Sequence, residues 1–189
     1  MDIETMREKL QRELKPSRFE HSLRVYDMAL AMAKWYGLPT EKLAVAALLH
    51  DCGRRVPVET SEVQARNWGL SVDEVERRQP ILFHQKLGAH IARTEYGVED
   101  PEILDAIGRH TTGGAGMSSM AQVVYLADMI EPGRVYPGVE ELRQVARQDL
   151  RQGMLKCYAH TMKFLLDTGL LVHPDCVAGY NELMTQGDK

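Results

Sequence analysis

Apolar residues recur at helical spacing in nearly every segment of this chain, and this pattern constrains the fold more than any other feature. Segment 16–37 is an example in which five positions share one helical face: Phe19, Leu23, Tyr26, Leu30 and Ala33. No segment alternates apolar and polar residues as a half-buried strand does. The sequence therefore predicts an all-α protein, a single helical bundle of roughly seven to nine helices.

Cap residues predict where several helices begin and end. Gly37 suits the left-handed conformation that ends a helix, and Thr40 is a candidate N-cap for the helix over 41–51. Ser71 and Glu74 have the spacing of a capping box for a later helix. Asp100 precedes a proline at the expected start of another helix.

Composition and charge exclude several classes of protein. The 189 residues are 44% hydrophobic and 26% charged, and the formal net charge of −4 lacks the basic excess of a nucleic-acid-binding domain. The first ten residues do not resemble a secretory signal, and no apolar run reaches the roughly 18 residues of a membrane span. The three cysteines are far apart, which favours a reducing compartment. We expect a cytoplasmic protein without nucleic-acid or membrane partners.

The helix over 41–51 is apolar around almost its whole circumference, yet it ends in His50 and Asp51. The apolar stretch predicts burial, and a buried carboxylate is costly unless it is paired or binds a metal ion. A salt bridge to Arg54 is one possible compensation. A metal ion bound by His50 and Asp51 is the other.

Four further polar residues interrupt otherwise apolar helical faces: His21, His84, His110 and Asp128. Helical bundles often build metal sites from side chains that converge in the core in this way. The six residues together therefore predict a metal centre. The three remaining histidines are interpreted as structural: His90, His160 and His173.

The order H…HD…H…H…D resembles that of the HD-domain metal-dependent phosphohydrolases. The chain resembles in particular the YqeK-type HD proteins, which are symmetrical dinucleoside tetraphosphatases. The likeness covers roughly residues 15–185 and rests on six stretches: RFEHSLRV, AALLHD, HQKLGAHIA, AIGRHTTG, MSSMAQVVYLADMIEPGR and YPGVEELR. One departure is that the family usually has a lysine at the third position after HD, where this chain has Arg54.

The resemblance implies one HD domain over 1–189, with a motif-bearing core of about 15–135 and C-terminal helices over 138–185. It also implies two metal ions. One ion would be held by four residues: His21, His50, Asp51 and Asp128. The other would be held by His84, His110 and the second carboxylate oxygen of Asp51. Imidazole and carboxylate ligands suit iron, manganese, nickel or zinc, and the resemblance favours iron.

The implied activity is hydrolysis of diadenosine tetraphosphate and similar dinucleoside polyphosphates by metal-activated water, which gives two nucleoside diphosphates. Asp51 and Arg54 would be catalytic. Substrate phosphates would meet Arg54 again, together with four further residues: Thr111, Thr112, Gly113 and Arg134. Ordinary turn chemistry for the loop 111–114, and a solvated loop charge for Arg134, are equally compatible with the sequence.

Two charged residues near the expected ligands have supporting interpretations. Arg18, three residues before His21, is interpreted as the structural partner of a carboxylate. Glu131 lies one turn after Asp128, where it could orient a metal-binding histidine. Cys52 is interpreted as a core thiol.

Alternative functions remain open at the level of the sequence. The chain could be another HD phosphohydrolase that acts on a nucleotide, or a mixed-valent di-iron oxygenase. It could also be a degenerate HD module that binds a nucleotide as a regulator, although the complete ligand set argues against this. A homodimer is compatible with the sequence, and no sequence feature decides it.

Overall fold

The computed structural model describes residues 1–186, which contain helices and no strand. Eleven α-helices are present in this part of the chain, so the predicted range of seven to nine was too low. Two short 3₁₀ turns, Cys52–Arg55 and Pro80–Leu82, are also present. The helices are α1 (Ile3–Glu13), α2 (Pro16–Tyr36), α3 (Glu41–Leu49), α4 (Val58–Asn67), α5 (Glu74–Arg78), α6 (Phe83–Glu95), α7 (Pro101–Arg109), α8 (Ser119–Ile130), α9 (Val139–Gln148), α10 (Leu150–Asp167) and α11 (Pro174–Thr185).

The helix count was too low partly because α4 carries almost no apolar face. Its buried residues are Ser61 and Ala65, whereas Val58 and Val63 are exposed. Periodicity cannot reveal a helix whose buried side is small or polar. The long C-terminal segment also divides into α9 and α10 at Asp149, whose backbone is extended and whose side chain accepts a hydrogen bond from the Gln152 amide.

Most of the predicted caps lie where expected. Gly37 adopts a left-handed φ of 64° and ends α2, and the Asp100 side chain accepts hydrogen bonds at the start of α7. Thr40 occupies the N-cap position of α3 without a side-chain hydrogen bond. The predicted capping box at Ser71 and Glu74 was wrong. Its place is two residues later, where Asp73 and Glu76 each accept a hydrogen bond from the other's backbone amide.

Helices α3 and α8 form the centre of the bundle. Five of the nine residues of α3 are buried, and α8 buries all but four of its twelve. Helices α2 and α7 pack against both of them, and α10 packs against α8, α9 and α11. Among the described residues, no helix combines the length and the apolar character needed to cross a membrane.

Two glycines let the segment after α3 approach α6 closely. A Cβ atom on Gly53 would lie 2.1 Å from the carbonyl oxygen of His84, and one on Gly88 would lie 3.3 Å from the amide nitrogen of Gly53. The Cys52 thiol adds a hydrogen bond of 3.3 Å to the Gly88 carbonyl oxygen. This backbone contact places the end of α3 directly beside the first turn of α6.

Candidate metal centre

The structure brings all six predicted ligands to one place in the core. Each comes from a helix or its end: His21 from α2, His50 and Asp51 from the end of α3, His84 from α6, His110 from the end of α7, and Asp128 from α8. Five of the six are buried, and the Asp128 side chain is 15% exposed. The cluster therefore lies just beneath the surface, with Asp128 on its open side.

The same local hydrogen bond fixes the ring of three of the histidines. In His50, His84 and His110, Nδ1 contacts the carbonyl oxygen three residues earlier in the chain, at 2.8 Å for the first and last of these. A carbonyl oxygen only accepts, so Nδ1 carries the proton and Nε2 has a free lone pair. All three Nε2 atoms point into the cluster.

These lone pairs face one another. The Nε2 atoms of His84 and His110 are 3.0 Å apart, and neither carries a proton to donate. Within the described residues, the buried Nε2 atom of His50 has no hydrogen-bond partner. Closely spaced lone pairs repel each other, and a cation between them removes the repulsion. The donor set therefore fits a metal ion.

Asp51 lies at the middle of the cluster, and its two carboxylate oxygens face different histidines. Oδ1 is 3.5 Å from Nε2 of His84 and 3.6 Å from Nε2 of His110. Oδ2 is 3.8 Å from Nε2 of His50 and 3.9 Å from Nε2 of His21. A carboxylate has a lone pair on each oxygen, so this placement allows Asp51 to connect two positive centres.

His21 and Asp128 complete the cluster on the side of α8. His21 Nε2 lies 2.9 Å from Asp128 Oδ1, and its Nδ1 lies 3.1 Å from Oε1 of the buried Glu131. Glu131 is held in turn by Arg24, whose Nε donates to Oε2 at 2.7 Å. A carboxylate on the far nitrogen of a metal-binding histidine fixes the ring and raises its basicity. The contact agrees with the interpretation of Glu131.

Three overlapping groups of side chains have ligand atoms within 4.8 Å of one another and could hold a metal ion. Asp51 belongs to two of them, and so do His50 and His110. The groups are His21, His50 and Asp51; His50, His110 and Asp128; and Asp51, His84 and His110. The buried Cys52 belongs to none of the three, which agrees with its interpretation as a core thiol.

The protonation states suit metal binding. Burial lowers the pKa of His50 to about 4, and burial together with the neighbouring His110 and Arg54 lowers the pKa of His84 well below its usual value. For Asp51, burial acts to raise the pKa, but the surrounding histidines outweigh it and hold the pKa well below the usual value. At neutral pH the two histidines are neutral, and the carboxylate is ionised.

Three arginines surround the carboxylates from the outside. Arg54 Nε donates to Asp51 Oδ1 at 3.1 Å, and Arg18 Nη1 donates to Asp51 Oδ2 at 3.2 Å. Arg134 pairs with the Asp128 carboxylate, and its Nε donates to the Asp128 carbonyl oxygen at 2.8 Å. Arg54 therefore forms the salt bridge that the sequence suggested, and the same carboxylate lies in the histidine cluster. A salt bridge and a metal ion are not exclusive ways to compensate the buried charge of Asp51.

Gln85 was missed by sequence reasoning, although it follows His84 directly. Its buried Oε1 accepts hydrogen bonds from the amides of Thr111 (3.1 Å) and Thr112 (3.2 Å), and its Nε2 donates to Thr112 Oγ1 at 3.1 Å. These bonds fix the loop after His110. The available signal was an amide side chain directly after a candidate ligand, His84.

The loop 111–114 has two layers. The Thr111 hydroxyl lies 3.0 Å from His84 Nε2 and faces the cluster. Thr112 is buried against Gln85, and Gly113 has a φ of 67° where a Cβ atom would lie 2.2 Å from the Tyr158 hydroxyl. Thr112 and Gly113 therefore anchor the loop to Gln85 and Tyr158. Their contact with substrate stays a prediction.

Residues 18–133 match the HD domain family, and this range contains all six predicted ligands. A protein of Bacillus subtilis named symmetrical bis(5'-nucleosyl)-tetraphosphatase is 34% identical over 93% of this chain and 94% of its own length. A protein of the same name from Staphylococcus aureus is 33% identical over 96% of this chain and 95% of its own length.

A solved structure from Clostridium acetobutylicum has the same fold. It superposes with a TM-score of 0.94 at 34% identity and covers 98% of both chains. That protein is described as a "predicted HD superfamily hydrolase involved in NAD metabolism". The helices beyond residue 133 therefore also have counterparts in a solved protein.

Proposed function

We propose a hydrolase function from the premise that this chain belongs to the HD domain family. The reaction is metal-dependent hydrolysis of a dinucleoside tetraphosphate at its central linkage, so that diadenosine tetraphosphate and water give two ADP. The observation that carries the proposal is the buried cluster of six ligands around Asp51, in a chain that aligns along almost its whole length with two symmetrical tetraphosphatases.

The metal part of the proposal assigns the six residues to two ions. His21, His50, Asp51 and Asp128 would hold one ion, and His84, His110 and the other oxygen of Asp51 would hold the second. Two such ions, when bound, supply an activated water and a hold on phosphate oxygens. The resemblance favours iron, and manganese, nickel or zinc suit the same donors. The position of Asp51, with one oxygen toward each group, supports this division.

The chain supplies positive charge for the substrate. Arg18 and Arg54 contact the Asp51 carboxylate, and Arg134 contacts Asp128, so a polyphosphate bound at the ions would meet their charges. Arg54 replaces the usual lysine of the family and keeps its charge, but a guanidinium does not release a proton at ordinary pH. We therefore assign Arg54 an electrostatic role in binding the phosphates and stabilising the charge that develops on them.

The attacking group in this proposal is water. The thiol nearest in sequence, Cys52, is fully buried and donates to the Gly88 carbonyl oxygen, and burial raises the pKa of this thiol. The Thr111 hydroxyl is held against His84. We also infer that the HD domain extends over the whole chain, because the helices beyond residue 133 pack against α8 of the core.

Hydrolysis of diadenosine tetraphosphate in heavy-oxygen water tests the reaction. Water attack on one of the two central phosphorus atoms should give only ADP, with label in about half of the molecules in a single turnover. A mixture of ATP and AMP would refute symmetrical cleavage and leave the HD phosphohydrolase assignment standing. Unlabelled ADP would refute direct attack by water.

Two measurements separate this function from the alternatives. A metal-dependent phosphohydrolase should release ADP equally well without oxygen, whereas an oxygenase needs oxygen for turnover. A regulatory module that only binds nucleotide should show no turnover with any metal. Purified protein should therefore be assayed anaerobically with iron, manganese, nickel and zinc in turn, beside a chelator-treated control.

A further inference from the structure

The stretch YPGVEELR, residues 136–143, contains none of the candidate ligands, although the likeness to the YqeK-type proteins rests partly on it. In the structure it forms the turn before α9 and the first half of that helix. Two of its polar side chains, Tyr136 and Arg143, reach the end of α8, the helix that carries Asp128. The stretch therefore contacts the metal centre only indirectly, through the end of α8 and the loop that follows it.

Arg143 binds three backbone carbonyl groups at this place. Its Nε donates to the carbonyl oxygen of Ile130 at 2.9 Å, and its Nη2 donates to those of Glu131 at 2.7 Å and Arg134 at 3.0 Å. The last carbonyl groups of a helix have no partner within the helix, and the last turn of α8 has no lysine or arginine. Arg143 therefore caps α8 from a neighbouring helix and binds the following loop with the same guanidinium.

The loop after α8 is fixed by hydrogen bonds rather than by packing. The structure describes all of it, and no side chain is buried between Glu131 and Val139. Val135 is 92% exposed. The Arg134 amide donates to the Glu131 carbonyl oxygen at 2.9 Å, and the Arg134 carbonyl oxygen accepts from Arg143. Both backbone polar groups of Arg134 are thus held.

The backbone of Arg134 decides where its side chain lies. The Arg134 guanidinium pairs with the Asp128 carboxylate, and its Nε donates to the Asp128 carbonyl oxygen at 2.8 Å. The side chain is only 35% exposed, which does not fit a freely solvated loop charge. The hydrogen bonds of Arg143 go to the backbone around Arg134 and to Glu140, and none goes to a candidate ligand among the described residues.

We propose that Arg143 is a positioning residue, which holds the loop after α8 so that Arg134 lies against Asp128 and meets the phosphates of the substrate. The inference rests on the proposed hydrolase function and adds a residue that acts on the substrate only through Arg134. It also gives the stretch 136–143 a part in the reaction.

The shape of the side chain should matter, as well as its charge. A cation near the C-terminus of a helix is favourable whatever its shape. The three carbonyl groups belong to three residues, and the planar fork of a guanidinium serves them together, whereas a lysine ammonium is a single point. Arg143→Lys should therefore keep the charge at the end of α8 and lose most of the hold on the loop.

Kinetics of variants in α9 test the role. Arg143→Met should raise KM for diadenosine tetraphosphate by about tenfold, the value of one hydrogen bond to a charged group, with kcat and metal content nearly unchanged. Arg143→Lys should keep most of this defect, and it carries the test if Arg143→Met does not fold. Arg147→Met is the matched control, because Arg147 is an exposed arginine of the same helix that lies over the Trp35 ring. Full recovery in Arg143→Lys, or an equal defect in Arg147→Met, would overturn the inference.

A double-mutant cycle separates positioning from general stabilisation. Arg134→Ala should raise KM by about tenfold or more, and adding Arg143→Met to it should change KM by less than about twofold, because the residue being positioned is already absent. A merely structural role would multiply the two defects, and that result would overturn the inference. Reduced metal content in Arg143→Met would also overturn it, because the effect would then run through Glu131 and His21.

Calorimetric titration of the manganese-loaded protein with ADP separates this inference from the proposed function. ADP offers phosphates to Arg134 and needs no turnover. Its affinity should fall by about tenfold in Arg143→Met, and the double variant should bind it as Arg134→Ala does. If the parent cleaves no dinucleoside tetraphosphate, the proposed function fails, and the titration still decides whether Arg143 acts through Arg134. Equal ADP affinity in the parent and in Arg143→Met, or no binding of ADP to the parent, would overturn the inference.

Discussion

The histidine cluster and the loop 111–114 are adjacent but are built in different ways. Each histidine ring of His50, His84 and His110 is fixed by the carbonyl oxygen three residues before it, so local helix geometry aims the Nε2 atom. The loop instead depends on Gln85 from α6 and Tyr158 from α10, which are distant in sequence. The cluster is therefore specified mainly by short-range contacts, and the loop by long-range ones.

This difference separates two kinds of loss of function. Changes in the cluster should remove metal and activity together, because these side chains are the proposed ligands of the ions. Changes beneath the loop should reduce activity while metal content stays constant, because these residues touch no ligand atom except through Thr111. Metal content measured beside turnover distinguishes the two.

Asp51→Ala should have the largest effect. It removes the group that lies between both sets of histidines, and metal catalysis supplies several kcal/mol of stabilisation, so activity should fall by about a thousandfold or more. Metal analysis of the purified variant should show reduced content. Asp105→Ala is a suitable control, because Asp105 is a partly exposed carboxylate paired with Arg109 and belongs to none of the groups that could hold a metal ion. Full metal occupancy and normal turnover in Asp51→Ala would contradict the assignment.

Gln85→Ala should have an intermediate effect. It leaves the amides of Thr111 and Thr112 without their acceptor, and each buried unpaired group costs about 1–3 kcal/mol. We expect a lower unfolding temperature and a kcat/KM reduced by about tenfold or more, with metal content unchanged. Gln85→Glu keeps the acceptor and should recover part of the loss. Reduced metal content in Gln85→Ala would show that loop and cluster are not separate.

Arg54→Lys should have the smallest effect. Lysine keeps the positive charge beside Asp51 but loses the fork of the guanidinium, so activity should stay within about tenfold of the parent. Arg54→Ala removes the charge and should raise KM or lower kcat more strongly, with metal content retained. Parent-like kinetics of Arg54→Ala at sub-saturating substrate would show that Arg54 takes no part in catalysis or binding.

The sequence predicted the helical class and the convergence of six polar residues because both depend on local pattern. The sequence itself shows an apolar helix that ends in His50 and Asp51. It also shows the prolines and glycines that mark the ends of helices. Helix α4 has no such signal, because Ser61 and Ala65 are its buried residues. This helix is stabilised by the segments that pack against it, and the periodicity of its own sequence does not show them.

The residues that hold the candidate ligands and the loop in place were harder to predict, because most of their contacts join residues that are distant in sequence. Glu131 was noticed because it lies one turn from Asp128, whereas Gln85 contacts a loop 26 residues away. His160 lies far along the chain from the candidate ligands, and only the packing of α10 against α8 brings it to the cavity lined by Asp128 and Arg134. Spacing along the chain cannot report such contacts.

The contact between Gly53 and Gly88 bears on how this protein can tolerate mutation. The distance between the end of α3 and the first turn of α6 is set there by two backbones in contact, without intervening side chains. Substitutions among the bulky residues of the wider core can change the free energy of unfolding without altering this separation. Substitutions that accumulate in the core therefore need not change the distance between His50 and His84. A single methyl group at position 53, in contrast, is not tolerated without moving one helix away from the other.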